Sequence, residues 1–289
     1  MNSHSPVQFA AKNLPGDVVQ LNESHLVQAL SLSQALNWPY RLEDWAFALG
    51  LGRGLAVESG GRLLGTALWW PFGSDHASAG MVIVAAEAQR QGIGARLMAA
   101  LLADAAGRTI ILNSTREGAA LYTRLGFVTV GTKNQHQAVL AQAPAQYKAP
   151  VRAAEPADRA ALRRLDRAAS GMDRNVLLDA LFAVADTLAV ERDGRISGYA
   201  CVRRWGRGVV IGPVVAQDAA DARALIAALA ARHVGQFVRI DVPAASGLSA
   251  WLEQIGLPKV DQATSMVLGK PLQSDPAASL YALSNQSLG

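Results

Sequence analysis

The run Gln89-Arg90-Gln91-Gly92-Ile93-Gly94-Ala95-Arg96 is the segment whose residue types and spacing fit chemistry rather than packing. It stands between a β-rich stretch ending at Val84 and an alanine- and leucine-rich stretch that reads as a helix. Glycine permits tight turns and close approach of a ligand to the backbone. The first amides of a helix have no partner inside it, and together with the helix dipole they form a nest for phosphate or pyrophosphate. A dinucleotide site would want a third glycine where Leu97 stands. It would also want an acid on the next strand, where Ile110, Ile111 and Leu112 supply none. A phosphate nest therefore stands and a dinucleotide fold does not.

The elements that must position this loop occur twice. Residues 57–67 lie over residues 190–200 without a gap, sharing Val, Glu, Gly, Arg, Gly and Ala. Each copy reads as a β-hairpin about a glycine turn. Two helical segments precede each hairpin (23–36 and 41–49; 157–169 and 174–182). A strand follows each (79–84; 209–216), then a long helix (92–106; 219–233) and a short strand (109–113; 237–242). A short helix (118–125; 248–255) and a last strand (135–140; 264–268) are expected to close each unit. This order predicts an α+β fold, a mixed sheet with helices on its faces. The proline-bearing stretch 141–150 reads as a linker, and no element is assigned after Pro271.

Composition agrees with such a pair of units. A length of 289 residues fits about two domains. Hydrophobic residues at 51% against 17% charged argue against disorder. Apolar runs fall well short of the roughly 20 residues a membrane span needs, and no secretory leader is visible, so a cytoplasmic protein without a membrane partner is expected. One cysteine, Cys201, excludes an internal disulfide and any multi-cysteine metal site, and no metal is expected. The net charge of +4 comes from scattered residues with no basic stripe, which argues against a nucleic-acid partner.

Together with Leu121-Tyr122-Thr123-Arg124-Leu125-Gly126-Phe127, the glycine loop resembles the signature of the GNAT superfamily of N-acetyltransferases. Gln89, Gly92 and Gly94 match its first part, and Tyr122, Gly126 and Phe127 its second. The resemblance covers residues 18–140 and extends more faintly through the second copy to 268. It implies two tandem GNAT-like domains, each a mixed central sheet flanked by helices: 1–143 as the catalytic domain, 144–150 as linker, 151–270 as a degenerate domain and 271–289 as tail.

The resemblance further implies acetyl-CoA as co-substrate. Its pyrophosphate would meet the backbone of Gln89, Arg90, Gln91, Gly92, Ile93, Gly94 and Ala95. The pantetheine arm would pair along Ile83 and Val84, with Asn113 and Thr115 beyond the neighbouring strand as further contacts. Thr115 and Gly118 depart from the Asn and Ala that many members carry there. Tyr122 would donate a proton to the departing thiolate, as a protonated phenol does at neutral pH. The strand 79–84 holds no carboxylate, Glu87 is expected to face solvent and His76 to sit in a turn, so no general base is assigned.

Acceptor-side candidates are Trp38 and Tyr40 between the first two helices, Trp70 at a strand end, and Arg174 in the second copy, as an aromatic wall and an anion anchor. In that copy Ala220, Arg223 and Leu225 stand where the glutamine and glycines should be, and Leu252 replaces Tyr122. Two nearby acids, Asp218 and Asp221, repel pyrophosphate. Its expected work is completing the fold, shaping the acceptor cleft or pairing subunits as a homodimer. The activity expected is acetyl transfer to a primary amine of a small molecule. Transfer to a protein lysine or N-terminus, and a non-catalytic CoA-binding sensor, are the alternatives.

Overall fold

Residues 16–289 are described by a computed structural model. The first half runs β1 (Asp17–Gln20), α1 (Leu26–Ala35), α2 (Leu42–Leu51), β2 (Arg53–Ser59), β3 (Arg62–Phe72) and β4 (His76–Val84). It continues with α3 (Ile93–Asp104), β5 (Thr109–Ser114), α4 (Ala119–Arg124) and β6 (Val128–Val139). The second half repeats the order as β7 (Val151–Ala153), α5 (Arg159–Ser170), α6 (Asn175–Val184), β8 (Asp186–Arg192), β9 (Arg195–Trp205) and β10 (Gly208–Ala216). Then follow α7 (Ala219–Ala231), β11 (Phe237–Pro243), α8 (Ser249–Gln254), β12 (Lys259–Leu268) and β13 (Ser279–Ala282).

The strands form one continuous sheet, in the order β1-β2-β3-β4-β5-β12-β6-β11-β10-β9-β8-β7, with β13 added to β10. The last strands do not close their own units, as the sequence led one to expect. β12 of the second half pairs with β5 of the first, with Thr264 opposite Ser114. β6 of the first half pairs with β11 of the second, with Val139 opposite Phe237. The two exchanged strands pair with each other at the centre. An unassigned tail was also expected after Pro271, whereas Ser279–Ala282 is a strand and Leu283, Ser284, Asn285 and Leu288 are buried.

Helices cover both faces because each presents an apolar stripe. α3 buries Ile93, Leu97, Met98 and Leu101, residues that share one side of a 3.6-residue turn. They pack with Ala77, Ala79, Ile110 and Leu112 of β4 and β5. On the opposite face α1 and α2 bury Leu26, Ala29, Trp45 and Ala48 against Leu68, Trp70 and Ile83. Full burial of each large side chain is worth about 1.5–3 kcal/mol. In the second half α7 and α8 pack on one face, and α5 and α6 on the other.

Candidate active site

The opening beside β4 begins at a one-residue bulge. Thr66 faces Ile83, but Leu68 faces Gly80, so β4 carries an extra residue about Met81. Met81 takes φ 50°, a left-handed conformation that L-residues avoid, and its carbonyl accepts from Thr66 Oγ1 at 2.8 Å. β4 runs parallel to β5 only from His76 to Ala79, before the bulge. Beyond it the two strands part. Ala85 N–H donates to Leu64 O at 2.9 Å, so antiparallel alternation turns the backbone of Ile83 toward β3 and that of Val82 and Val84 toward the opening. Ile83, expected beside Val84 as a backbone partner, is therefore committed to the sheet, and it is the backbone of Val82 that faces the opening beside that of Val84.

The glycine loop lies at the end of this opening. Arg90 (φ 61°) and Gly92 (φ 85°) both take left-handed conformations, and Gly92 caps α3. Gln89, Arg90, Gln91 and Gly92 are exposed, while Gln89 and Gln91 donate back to the carbonyls of Val84 and Glu87. Ile93 is buried against the sheet, so its contribution is its amide. A methyl group on Gly94 would meet Leu121 Cδ2 at 3.5 Å and Val84 Cγ2 at 3.7 Å. Loop, strand opening and α4 thus converge at one point. Gln89 N–H donates to Ala86 O at 3.4 Å, but the amides from Arg90 to Ala95 have no hydrogen-bond partner among the described residues, which fits a diphosphate at the nucleotide end of a thioester carrier.

Tyr122 stands on α4 with Leu121. It is 8% exposed and packs edge-on against Phe127, with ring centroids 5.8 Å apart. Its hydroxyl bonds to no other described residue. Burial pushes the phenol up to about 12, so it stays protonated across the physiological range. Thr115 Oγ1 accepts from Gly118 N–H at 3.3 Å and shapes the turn into α4. Asn113, expected to meet the coenzyme, is already engaged: its amide donates to Gln286 O at 2.8 Å and its carbonyl accepts from Ser265 Oγ at 2.7 Å. Glu87 is exposed and pairs with Arg62.

The second half has the same architecture with its opening filled. β10 is bulged where Ile211 faces Val202 but Val214 faces Ala200, and β10 and β11 pair only from Val209 to Ile211. Along Val214–Ala216, the counterpart of the free edge of β4, the chain's own β13 is hydrogen-bonded. Asp218 accepts from the Asp221 amide at 2.8 Å and so occupies the start of α7. Among the described residues no strand occupies the equivalent edge at Val82–Val84.

After β13 the tail crosses to the first half. Ser287 lies against Gly80, its carbonyl accepts from Ser78 Oγ at 2.6 Å, and its hydroxyl is 3.3 Å from Tyr40 Oη. Gln286 donates to Gln135 and Asp241, both at 3.2 Å. These partners belong to β4, β6 and β11, so a polar belt runs across the sheet where the halves join. Its cationic edge was not foreseen. Arg203 on β9 is 4% exposed, lies 4.2 Å from the Trp205 ring centroid, and its three guanidinium nitrogens have no hydrogen-bond partner. Burial lowers it to about 10, which leaves it charged at neutral pH. Burial and then Arg174 bring Lys133 on β6 down to about 8. Tyr199, Cys201 and Arg203 share one face of β9 and alternate with Ala200 and Val202, which are buried on the other, so an arginine in a strand apolar on both faces was the available signal.

Of the acceptor-side residues expected from sequence, Trp38 and Tyr40 do stand at the junction, packed in a T shape with ring centroids 6.1 Å apart. Tyr40 also meets Trp205 at 5.6 Å. Trp70 does not: it is 2% exposed, and its indole donates to Ala48 O at 2.7 Å inside the α1–α2 core. Arg174 is not an exposed anchor either. It is clamped on buried Asp166 at 2.6 and 3.0 Å, and Tyr199 donates to the same carboxylate at 2.5 Å. Burial opposes the Arg174 charge, but Asp166 beside it holds the pKa above its usual value. A cleft of about 600 Å³ between α5 and the β8–β9 turn contains none of the residues singled out from sequence.

A bulged β4 parting from β5, a glycine-capped α3 at the gap, and a tyrosine on α4 define an acyltransferase of the GNAT class, built twice. Residues 51–129 and residues 162–282 each match the acetyltransferase (GNAT) domain, and the chain belongs to that superfamily as a tandem member. It is 29% identical over 282 residues to the uncharacterized N-acetyltransferase YitH of Bacillus subtilis, covering 94% of this chain and 98% of that one. Its fold is shared with an acetyltransferase-designated protein of Pyrococcus horikoshii (TM-score 0.80, 22% identity, 100% and 99% of the two chains covered). It is shared too with a tandem GNAT protein from the clavulanic acid biosynthesis pathway (TM-score 0.61, 17% identity, 88% and 99% covered). Among the described residues no helix is long and apolar enough to cross a membrane.

Proposed function

We propose that the chain transfers an acetyl group from acetyl-CoA to a primary amine of a small molecule, by direct attack in a ternary complex. The observation that carries this reading is the contrast between the two openings. Among the described residues no strand pairs with the β4 edge at Val82–Val84, which leads to the Gly92 cap, whereas the equivalent β10 edge is filled by β13. We assign catalysis to residues 1–143 and a supporting role to residues 151–270, joined by 144–150, with the tail 271–289 serving both halves.

Acetyl-CoA supplies an activated thioester. The amides from Arg90 to Ala95 hold the diphosphate, with the Gln89 side chain at the mouth of the loop, and those of Val82 and Val84 align the pantetheine arm. An amide aimed at the thioester oxygen stabilises charge developing there. Tyr122 holds a proton at its Oη, within a site from which Phe127 and Leu121 help exclude water, and delivers it to the leaving sulfur. No carboxylate lies on β4, so the amine enters neutral. Its nitrogen attacks the thioester carbon as the carbon–sulfur bond breaks, the proton it sheds goes to water, and Tyr122 regains from water the proton it gave to sulfur.

Incubating the protein with acetyl-CoA and a panel of small amines should release free thiol, read by a thiol reagent. Absence of release across the panel, with coenzyme binding intact, would leave a binding module and overturn this reading.

A further inference from the structure

The acids that could neutralise Arg203 are already occupied. Asp44 accepts from the Arg41 side chain and from Gly206 N–H at 2.8 Å, and Asp241 is held by Arg239 at 3.0 Å. Asp44 favours the Arg203 charge from nearby without a hydrogen bond to it, while Arg41 and Arg239 oppose it. A guanidinium deprived of water and left without hydrogen bonds is strongly unfavourable unless an anion meets it. The side chain is nevertheless fixed, stacked on Trp205 from its own half and 5.3 Å from the Phe47 ring of α2 in the other. Trp205 in turn touches Tyr40, whose hydroxyl meets Ser287 against Gly80 of β4. The unpaired cation therefore lies on the α1–α2 face of the sheet, joined to β4 of the first-half opening through Trp205, Tyr40 and Ser287.

We propose that Arg203 anchors a carboxylate on the acceptor, so that the substrates of this protein are amines that also carry a carboxylate group. This deepens the function proposed above and rests on it for the amine, but not for the anion site. A planar guanidinium offers two parallel N–H donors that match the two carboxylate oxygens. The aromatic rings of Trp205 and Phe47 hold the fork and shield it from competing water. Tyr40 and the tail at Ser287 stand between the anchor and β4, and fix the direction in which the amine end of the acceptor extends.

The test uses the full chain and two readouts. N-acetyl amino acids keep the carboxylate and lack the reactive amine, and their amides lack both. In the wild-type protein the acids should raise the thermal transition and perturb tryptophan fluorescence through Trp205, and the amides should do neither. Arg203→Met should abolish that response, and Arg203→Lys, which keeps the charge without the fork, should weaken binding about 10- to 100-fold. In turnover assays, free amino acids should exceed their amides in kcat/KM, and Arg203→Met should bring that ratio close to one. Equal effects of acids and amides on the wild-type protein overturn the proposal without any variant. An equal response to inorganic phosphate shows a general oxyanion site and also overturns it. Arg203-dependent carboxylate binding without thiol release upholds the anchor while refuting acetyl transfer, so the two claims fail separately.

Discussion

Tyr122 is the side chain on which the proposed chemistry turns, and burial sets its behaviour. A phenol held up to about 12 remains a donor throughout the range in which the protein is handled. Tyr122→Phe keeps the ring packing on Phe127 and removes only the donor, so kcat should fall about 100-fold or more while CoA affinity stays within twofold. Unchanged kcat would show that the thiolate leaves without it. The same burial has a stability consequence. The folded pKa lies above the unfolded value of about 10, so this contribution is intact below pH 10 and is lost as pH rises toward 12, by about 2–3 kcal/mol. Urea titrations at pH 9 and pH 11 should differ in that direction, less so in Tyr122→Phe. Arg174 belongs to the architecture instead. Arg174→Ala leaves Asp166 buried and uncompensated, and should cost about 3–5 kcal/mol in denaturant unfolding.

Among the elements, α3 carries a prediction at its first turn. Gly92 sits at φ 85°, where an added Cβ brings about 1–2 kcal/mol of strain. If the loop must keep that conformation to hold a diphosphate, Gly92→Ala should weaken CoA binding about 5- to 30-fold, read by calorimetric titration. Unaltered affinity would place the diphosphate elsewhere. The same titration on the wild-type chain should give one CoA per chain, because β13 occupies the second slot. Local signals made these elements legible: the repeated hairpin, the glycine before an apolar helical stripe, and the Leu-Tyr to Gly-Phe spacing are all short-range patterns. Which half β6 and β12 would join was not legible. β6 pairs with β11 and β12 with β5, contacts so far apart in sequence that only the packed whole decides them. The same holds for the site. The loop and Tyr122 announce themselves by spacing, whereas Ser78 meets Ser287, and Arg203 meets Phe47, only through contacts far apart in sequence. Trp70 looked available because a strand end resembles a cleft mouth, until α2 covered it.

At the scale of the whole molecule, strand exchange makes each half the completion of the other. Without β12, β5 would present an unpaired edge beside the coenzyme opening, and without β11, β6 would have no outer neighbour. Asp44 adds a polar tie across the junction by accepting from Gly206 N–H, and the tail adds another through Ser78 and Asn113. Two beads on a string would unfold in two steps and survive separation. An exchanged sheet should instead lose both halves together. Calorimetry of the intact chain should therefore show a single transition whose calorimetric and van't Hoff enthalpies agree. Residues 1–150 expressed alone should aggregate or fail to bind CoA, and co-expression with residues 151–289 should restore a soluble, CoA-binding pair. Two resolved transitions, or a soluble first fragment that binds CoA as the whole chain does, would show that the exchanged strands are dispensable and that the halves stand independently.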